Sequence, residues 1–166
     1  MSIVTRTGDD GSTGLMYGRR VTKSHPRIAA CGAIDELNAA LGLARAEAGG
    51  ETLLPIQKEL VGVMGELATL DEDMPRYIKD GYPVISVESV ARLDQLAATL
   101  ETSLPPFKDW VMPGANRASA TIDFARTICR RAERHISELE LHNAQILIYL
   151  NRLSDVLWLM ARSLEK

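Results

Sequence analysis

A row of arginines at helical spacing is the feature of this sequence that points most directly to chemistry. Arg126, Arg130 and Arg134 recur one helical turn apart, with Arg131 beside them and Glu133 as the nearest counter-charge. Like charges four residues apart on a helix repel, so such a row costs stability unless an anion joins it. Guanidinium groups pair bidentately with phosphate oxygens, so this row could clamp several phosphates. The alternative, which this segment alone leaves open, is a solvated basic face.

Polar residues also interrupt the apolar stripes of two other helical segments. Asn151 and Asp155 stand one turn apart in a segment that is apolar on most sides, and Asp35 and Asn38 border the stripe of another. Buried polar groups need partners. Asn151 could therefore face a ligand, while Asp155 and Asp35 pair with arginines. The alternatives are a satisfied hydrogen bond in the core for the first two and an exposed carboxylate for Asp35.

Two segments without helical periodicity could complete a ligand site. Residues 5–14 are rich in Gly, Thr and Ser, whose N–H and hydroxyl groups can wrap phosphates, and Lys23 could add a charge. This segment matches neither the Walker A motif nor the dinucleotide glycine motif. Residues 105–114 contain Phe107 and Trp110, although aromatic residues make up only 5% of the chain. That loop could be an apolar lid for a large flat ligand, or it could fold back on the helices.

The elements that must position these residues are helices. Apolar residues recur at alternating spacings of three and four in five segments, and no alternating strand pattern extends beyond a few residues. Such stripes are typical of near-parallel helix packing. The sequence predicts an all-α fold, a five-helix bundle with a four-helix-bundle-like core. We expect a single domain at 1–166, with an irregular N-terminal arm at 1–26 and the helical bundle at 27–166.

Turn-forming residues divide the pattern into these helices. Loops are predicted at 73–85 and 104–114, where prolines and glycines cluster. Predicted N-caps are Ser86, Asn116 and Asn143.

Composition and charge exclude several classes of protein. The net charge of −3 argues against general binding to nucleic acids or anionic membranes. No apolar run approaches the roughly 18 residues of a membrane span. Cys31 and Cys129 cannot form a disulfide framework, and both lie in helical patterns, as expected of buried thiols in a reducing compartment. We therefore expect a cytoplasmic protein with neither a nucleic-acid nor a membrane partner.

Four segments together resemble the PduO-type ATP:cob(I)alamin adenosyltransferases, the corrinoid adenosyltransferase family. They are TRTGD at 5–9, GAIDELN at 32–38, RTICRRAER at 126–134 and NRLSD at 151–155, in the family's order and spacing. The resemblance covers nearly the whole chain. Two positions depart from the family pattern. Arg6 stands where the family usually has Lys, and Trp110 stands where it usually has Phe.

The resemblance implies an enzyme that transfers the 5′-deoxyadenosyl group of ATP to reduced cobalamin. Co(I) would attack the 5′ carbon of ATP, triphosphate would leave, and adenosylcobalamin would form. The resemblance also implies a homotrimer with active sites between subunits, in which Asp35 of one subunit pairs with Arg126 of the next. Asp35, Arg126 and Arg130 are the implied catalytic residues, and Trp110 is expected against the lower face of cobalamin. The implied ATP-binding residues are Thr5, Arg6, Thr7, Gly8, Thr13, Gly14, Lys23, Arg130, Arg131, Glu133, Arg134 and Asn151.

This reaction requires little acid–base catalysis by the protein. Co(I) is already a strong nucleophile, so the site must align the carbon with cobalt and neutralise the departing triphosphate. The arginine row and a Mg²⁺ ion suit the second task, although the sequence identifies no ligands for the metal. An electron donor must reduce Co(II). The alternatives are a helical bundle that senses ATP or another polyphosphate without catalysis, and a purely structural bundle.

Overall fold

The described residues form five long α-helices, one short α-helix and a small β-hairpin. The computed structural model describes residues 4, 6–49, 51–107 and 109–165. Within these ranges the elements are β1 (Ser12–Gly14), β2 (Arg20–Thr22), α1 (Pro26–Ala48), α2 (Leu53–Leu67), α3 (Met74–Lys79), α4 (Val87–Ser103), α5 (Arg117–Ser137) and α6 (Gln145–Ser163). The prediction of an all-α bundle is confirmed.

The helices begin close to where the capping residues predict. Ser86 and Asn116 each form a capping box at the start of α4 and α5, in which side chain and backbone bond reciprocally. Asn143 accepts a hydrogen bond from the N–H of Gln145 at 3.0 Å, although Ala144 occupies the N-cap position of α6. The end of α1 is set by Gly49, whose φ of 67° is the left-handed conformation that glycine adopts without strain.

The core lies where the apolar stripes of the long helices meet. Helix α1 packs against α2 and α5, and α6 packs against α4 and α5. Among the side chains that are fully buried are Ile34, Leu37, Leu41, Leu60, Ile122, Ile136, Ile146 and Leu150. None of the helices formed by the described residues is both long enough and apolar enough to cross a membrane.

Two segments contain more regular structure than the sequence predicts. The expected irregular arm includes an antiparallel hairpin that pairs Ser12 with Thr22 and Gly14 with Arg20. Its strands are three residues long, too short to display an alternating pattern. The loop expected at 73–85 contains α3, which has only six residues and so little helical periodicity.

The hairpin is attached to the end of the bundle formed by α2 and α3. The N–H of Met16 donates to the carbonyl oxygen of Ala68 at 2.9 Å. Arg19 forms an ion pair with Asp73, with 2.8 Å between Nε and Oδ2. The arm is therefore held on the bundle rather than trailing from it.

Candidate functional site

Arg20 closes the backbone loop of the N-terminal arm. Its Nη2 donates to the carbonyl oxygen of Thr7 at 2.7 Å and also to the hydroxyl of Ser12. The hydroxyl and the N–H of Ser12 in turn donate to Oδ1 of Asp10, at 2.7 and 2.9 Å. These two hydrogen bonds, the one from the hydroxyl above all, lower the pKa of Asp10. The turn between Thr7 and Ser12 is thus fixed by side chains, and Arg20 is a residue that the sequence analysis missed.

Gly8 and Lys23 meet inside this loop. A Cβ atom added to Gly8 would lie 3.1 Å from the carbonyl oxygen of Ser12 and 3.3 Å from Nζ of Lys23. Within the described ranges Lys23 has no carboxylate partner, and the N–H of Gly8 donates to no group. An ammonium group beside a free backbone N–H is an arrangement that suits a phosphate oxygen.

The remaining predicted residues of the arm differ in what the structure shows of them. Arg6 is exposed and has a φ of 58°, in the left-handed region. Thr13 and Gly14 lie on β1, opposite Val21 and Arg20. Thr5 lies outside the described residues.

The arginines of α5 are not equivalent. Arg126 is half-buried and donates through Nε to Oδ1 of Asp123 at 3.1 Å. Arg134 donates to the backbone carbonyl of Arg130 at 2.9 Å, and Arg131 forms an ion pair with Glu36 of α1. The guanidinium of Arg130 is exposed and has no hydrogen-bonding or ionic partner in the part of the chain that the structure describes.

An exposed polar face of α6 lies beside this row. Nδ2 of Asn151 donates to Oε1 of Glu133 on α5 at 3.1 Å, which ties the two helices together. Asp155 is also exposed and contacts Arg152, with 3.2 Å between Oδ2 and Nη1. The interpretation of Asn151 and Asp155 as buried polar groups is therefore wrong for the single chain. The side of α6 that bears them is not covered by another helix.

Asp35 and Arg126 are not paired within one chain. Asp35 is exposed on α1 and, among the described residues, makes no hydrogen bond or ion pair. Arg126 is instead bound to Asp123, one turn earlier on its own helix.

The loop before α5 presents Trp110 to solvent. Its side chain is 88% exposed, and it lines a cavity of about 240 Å³ together with Asp123, Arg126, Trp158 and Arg162. Phe107 makes the anchoring contact of this loop, because its ring lies edge-on to Trp158 with 4.7 Å between the centroids. The alternative in which Trp110 anchors the loop is therefore wrong.

Trp158 is a wall of two further cavities that the sequence analysis missed. One of about 400 Å³ runs between α4 and α6 past Asp94 and Asp155, and one of about 360 Å³ continues past Phe107. Trp158 follows Asn151 by seven residues, or two helical turns, and so lies on the same face of α6. That spacing is the signal by which it could have been found.

Comparison with known proteins identifies the family to which this chain belongs. The sequence profile of the cobalamin adenosyltransferase family matches residues 3–164, and the chain belongs to that family. The corrinoid adenosyltransferase PduO of Salmonella typhimurium is 43% identical over 98% of this chain and 49% of its own length. The corrinoid adenosyltransferase of Bacillus subtilis is 38% identical over 98% of this chain and 86% of its own. The chain spans about half the length of the two PduO relatives, from Salmonella typhimurium and Citrobacter freundii.

Solved structures agree with this assignment. A variant PduO-type ATP:corrinoid adenosyltransferase from Lactobacillus reuteri, complexed with cobalamin and ATP, matches 99% of this chain and 91% of its own with a TM-score of 0.89 and 29% identity. Another variant of the enzyme, complexed with ATP, matches 98% of this chain and 94% of its own with a TM-score of 0.87 and 30% identity.

Proposed function

We propose that this chain transfers the 5′-deoxyadenosyl group of ATP to Co(I) of reduced cobalamin and so makes adenosylcobalamin. The observation that carries the proposal is the match over 99% of the chain to a PduO-type enzyme that holds both cobalamin and ATP. The guanidinium of Arg130, which pairs with none of the described residues and lies beside the link between Asn151 and Glu133, supplies the cationic surface that such a reaction needs.

The proposed reaction is a single displacement at carbon. The electron pair of Co(I) forms the bond to the 5′ carbon of ATP, while the bond from that carbon to the triphosphate oxygen breaks. Triphosphate departs with this second electron pair, and cobalt becomes Co(III). No proton moves, so the task of the protein is to align the reactants and stabilise the charge on the leaving group.

The two phosphate-binding groups of the chain divide this work. In this proposal the arm around Gly8 and Lys23 holds the triphosphate of ATP. Arg130 and Arg134 stabilise the negative charge that develops on the triphosphate as it leaves. The described residues contain no group of three or more His, Cys, Asp or Glu side chains suited to a metal ion. Mg²⁺ commonly binds through substrate phosphates with few protein ligands. We accordingly assign Mg²⁺ to the triphosphate itself.

We assign the lower face of cobalamin to Trp110. An exposed indole at the rim of the cavity beside Arg126 can cover the corrin ring and exclude a lower axial ligand from Co(II). Removing that ligand makes reduction to Co(I) easier, and a one-electron donor then supplies the electron.

We further propose that the enzyme works as a homotrimer with active sites between subunits. The arm is attached near α2 and α3, whereas the arginine row faces outward from α5. Phe124, next to that row, is 57% exposed. The carboxylate of Asp35, which pairs with none of the described residues, is also available to a neighbouring subunit. Both cysteines are free thiols, which supports a location in the reducing cytosol.

A double-mutant cycle tests the contact between subunits. We expect Asp35→Asn and Arg126→Lys each to lower kcat/KM, and the double variant to lose less than the sum of the two free-energy changes, because both weaken the same ion pair. The loss of global stability should stay below about 1 kcal/mol for Asp35→Asn, as for exposed pairs, whereas Arg126→Lys also alters the contact with the buried Asp123. Steady-state kinetics give the cycle, and analytical ultracentrifugation gives the assembly. Strictly additive losses would rule out the pairing, and a monomer at working concentration would rule out the trimer.

Arg20 is expected to be needed for ATP binding. In Arg20→Ala the loop between Thr7 and Ser12 loses its clamp, so KM for ATP should rise about tenfold, the equivalent of a charge-assisted hydrogen bond. The KM for cobalamin should not change. Lys58→Ala removes an exposed, unpaired cation of α2 and controls for the loss of net charge. An equal rise in the KM for ATP in both variants would show that Arg20 acts only through its charge.

One assay separates the proposed enzyme from the non-catalytic alternative. The purified chain is incubated anaerobically with ATP, cob(II)alamin and a chemical reductant, and the absorption spectrum is followed. An adenosyltransferase produces the spectrum of adenosylcobalamin and releases triphosphate. An ATP sensor would bind ATP in calorimetry and give no product, and a purely structural bundle would bind neither substrate.

A further inference from the structure

A chain of four charged side chains connects Glu165, near the end of α6, to Arg126 through the interior of the bundle. Arg162 on α6 forms an ion pair with Oδ2 of Asp123 on α5, and their side chains are 1% and 4% exposed. Oδ1 of the same carboxylate accepts from Nε of Arg126 at 3.1 Å. Glu165 closes the inner end through a contact of 2.8 Å with Nη2 of Arg162.

A buried ion pair of this kind is an inefficient means of stabilising a helical bundle. Removing two charges from water costs several kcal/mol per ion, and replacing a buried ion pair with apolar residues is often neutral or stabilising. The guanidinium of Arg162 is also incompletely satisfied, since its Nε and Nη1 are buried and have no partner among the described residues. Stability alone is therefore a weak reason for this pair to lie between α5 and α6.

The geometry offers a more specific reason. A guanidinium group is planar, so a carboxylate that holds Nε fixes the direction of both terminal nitrogens. Those two nitrogens of Arg126 make no hydrogen bond to the described residues. Asp123 cannot turn aside, because Arg162 holds its other oxygen in the interior. Asp123, Arg126 and Arg162 also line the cavity beside Trp110, where cobalamin is assigned.

We propose that Asp123 is a positioning residue for the adenosyl transfer. Held in place by Arg162, it orients Arg126 so that the terminal nitrogens of that arginine face the site between subunits. The inference rests on the proposed function, because the orientation of Arg126 matters only if Arg126 works at that site. It adds Asp123 and Arg162, which belong to none of the four family segments, to the residues that the reaction needs.

The test compares Asp123→Asn in two backgrounds. In the otherwise unchanged protein we expect kcat at saturating ATP to fall at least about tenfold, while the KM for ATP stays within about twofold, because the ATP-binding arm is untouched. In an Arg126→Gln background the same substitution should cause no further fall in kcat, since Asp123 acts through Arg126. A purely structural role would lower the melting temperature and reduce activity equally in both backgrounds, and that result would overturn the proposal.

Two more variants keep the test decisive. Asp123→Asn leaves the buried Arg162 with Glu165 as its remaining counter-charge among the described residues, so the pair of substitutions Asp123→Asn and Arg162→Gln removes both members of the buried ion pair together. We expect this double variant to fold and still to show the fall in kcat, and wild-type kcat in it would overturn the proposal. Glu47→Gln, which removes the exposed partner of Arg117 at the start of α5, should leave kcat unchanged. If the unmodified protein makes no adenosylcobalamin, the proposed function itself fails, a result distinct from an active protein that is indifferent to Asp123.

Discussion

Replacing Arg130 with alanine is expected to lower kcat about 10²- to 10³-fold, the usual effect of removing one preorganised group that stabilises a developing negative charge. The guanidinium of Arg130 is exposed on α5 and has no partner among the described residues, so none of those residues competes with triphosphate for it. For the same reason the free energy of unfolding should change by less than about 0.5 kcal/mol. Single-turnover kinetics and thermal unfolding measure the two quantities separately.

The comparison of Arg130→Ala with two other variants makes this prediction specific. Arg130→Lys keeps the charge but loses the planar fork, so it should recover only part of the lost rate. Arg117→Ala removes an arginine with an 85% exposed side chain from the start of the same helix and should leave kcat unchanged. Near-normal turnover in Arg130→Ala would remove that arginine from the site, and an equal loss in Arg117→Ala would reduce its role to general attraction.

The long helices were predictable because their signals are local. Stripes of apolar residues at spacings of three and four mark α1 and α6, and Ser86 and Asn116 mark the starts of α4 and α5 through their capping boxes. The hairpin was not predictable in this way. Its three-residue strands carry no periodic pattern, and they are held by contacts with residues about 50 positions away, such as that of Arg19 with Asp73.

The candidate site was predictable where charge stands out from its surroundings. The arginines of α5 and the glycine-rich arm are conspicuous in the sequence, whereas Asp123 and Arg162 are single charges that no spacing or motif sets apart. Only the packing of α5 against α6 shows that these two side chains are buried together. The exposure of Asn151 was not predictable either. The sequence reveals that α6 is mostly apolar but not which of its sides another helix leaves uncovered.

The arm and the arginine row, both assigned to the same triphosphate, lie on different parts of one chain. The described contacts of the hairpin go to the end of α2 and to residues in and around α3, through Met16, Tyr17 and Arg19. Arg130 and Asn151 face outward from α5 and α6. A second copy of the chain could bring its arm against this row, which is why the assembly test bears directly on the mechanism.

Trp110→Ala is expected to abolish the four-coordinate Co(II) signal in electron paramagnetic resonance when cob(II)alamin and ATP are bound. The indole is large, flat and apolar, and it stands at the rim of the cavity beside Arg126. Without it, water or the lower ligand can reach cobalt, so reduction to Co(I) becomes harder and turnover should fall with the signal. The affinity for ATP, measured by calorimetry, should not change, because the arm is untouched.

Because Trp110 is exposed, the stability of the Trp110→Ala variant is a control for this prediction. A fully buried tryptophan would lose about 3–5 kcal/mol on truncation to alanine, but this side chain is 88% exposed in the single chain, so the free energy of unfolding should hardly change. Phe107→Ala should behave in the opposite way, because its edge-on contact with Trp158 holds the loop to α6. Trp110→Phe introduces the residue that is usual at this position in the family and should retain most of the four-coordinate signal. A Trp110→Ala protein that keeps the full signal would exclude the indole from the lower face, whatever its turnover.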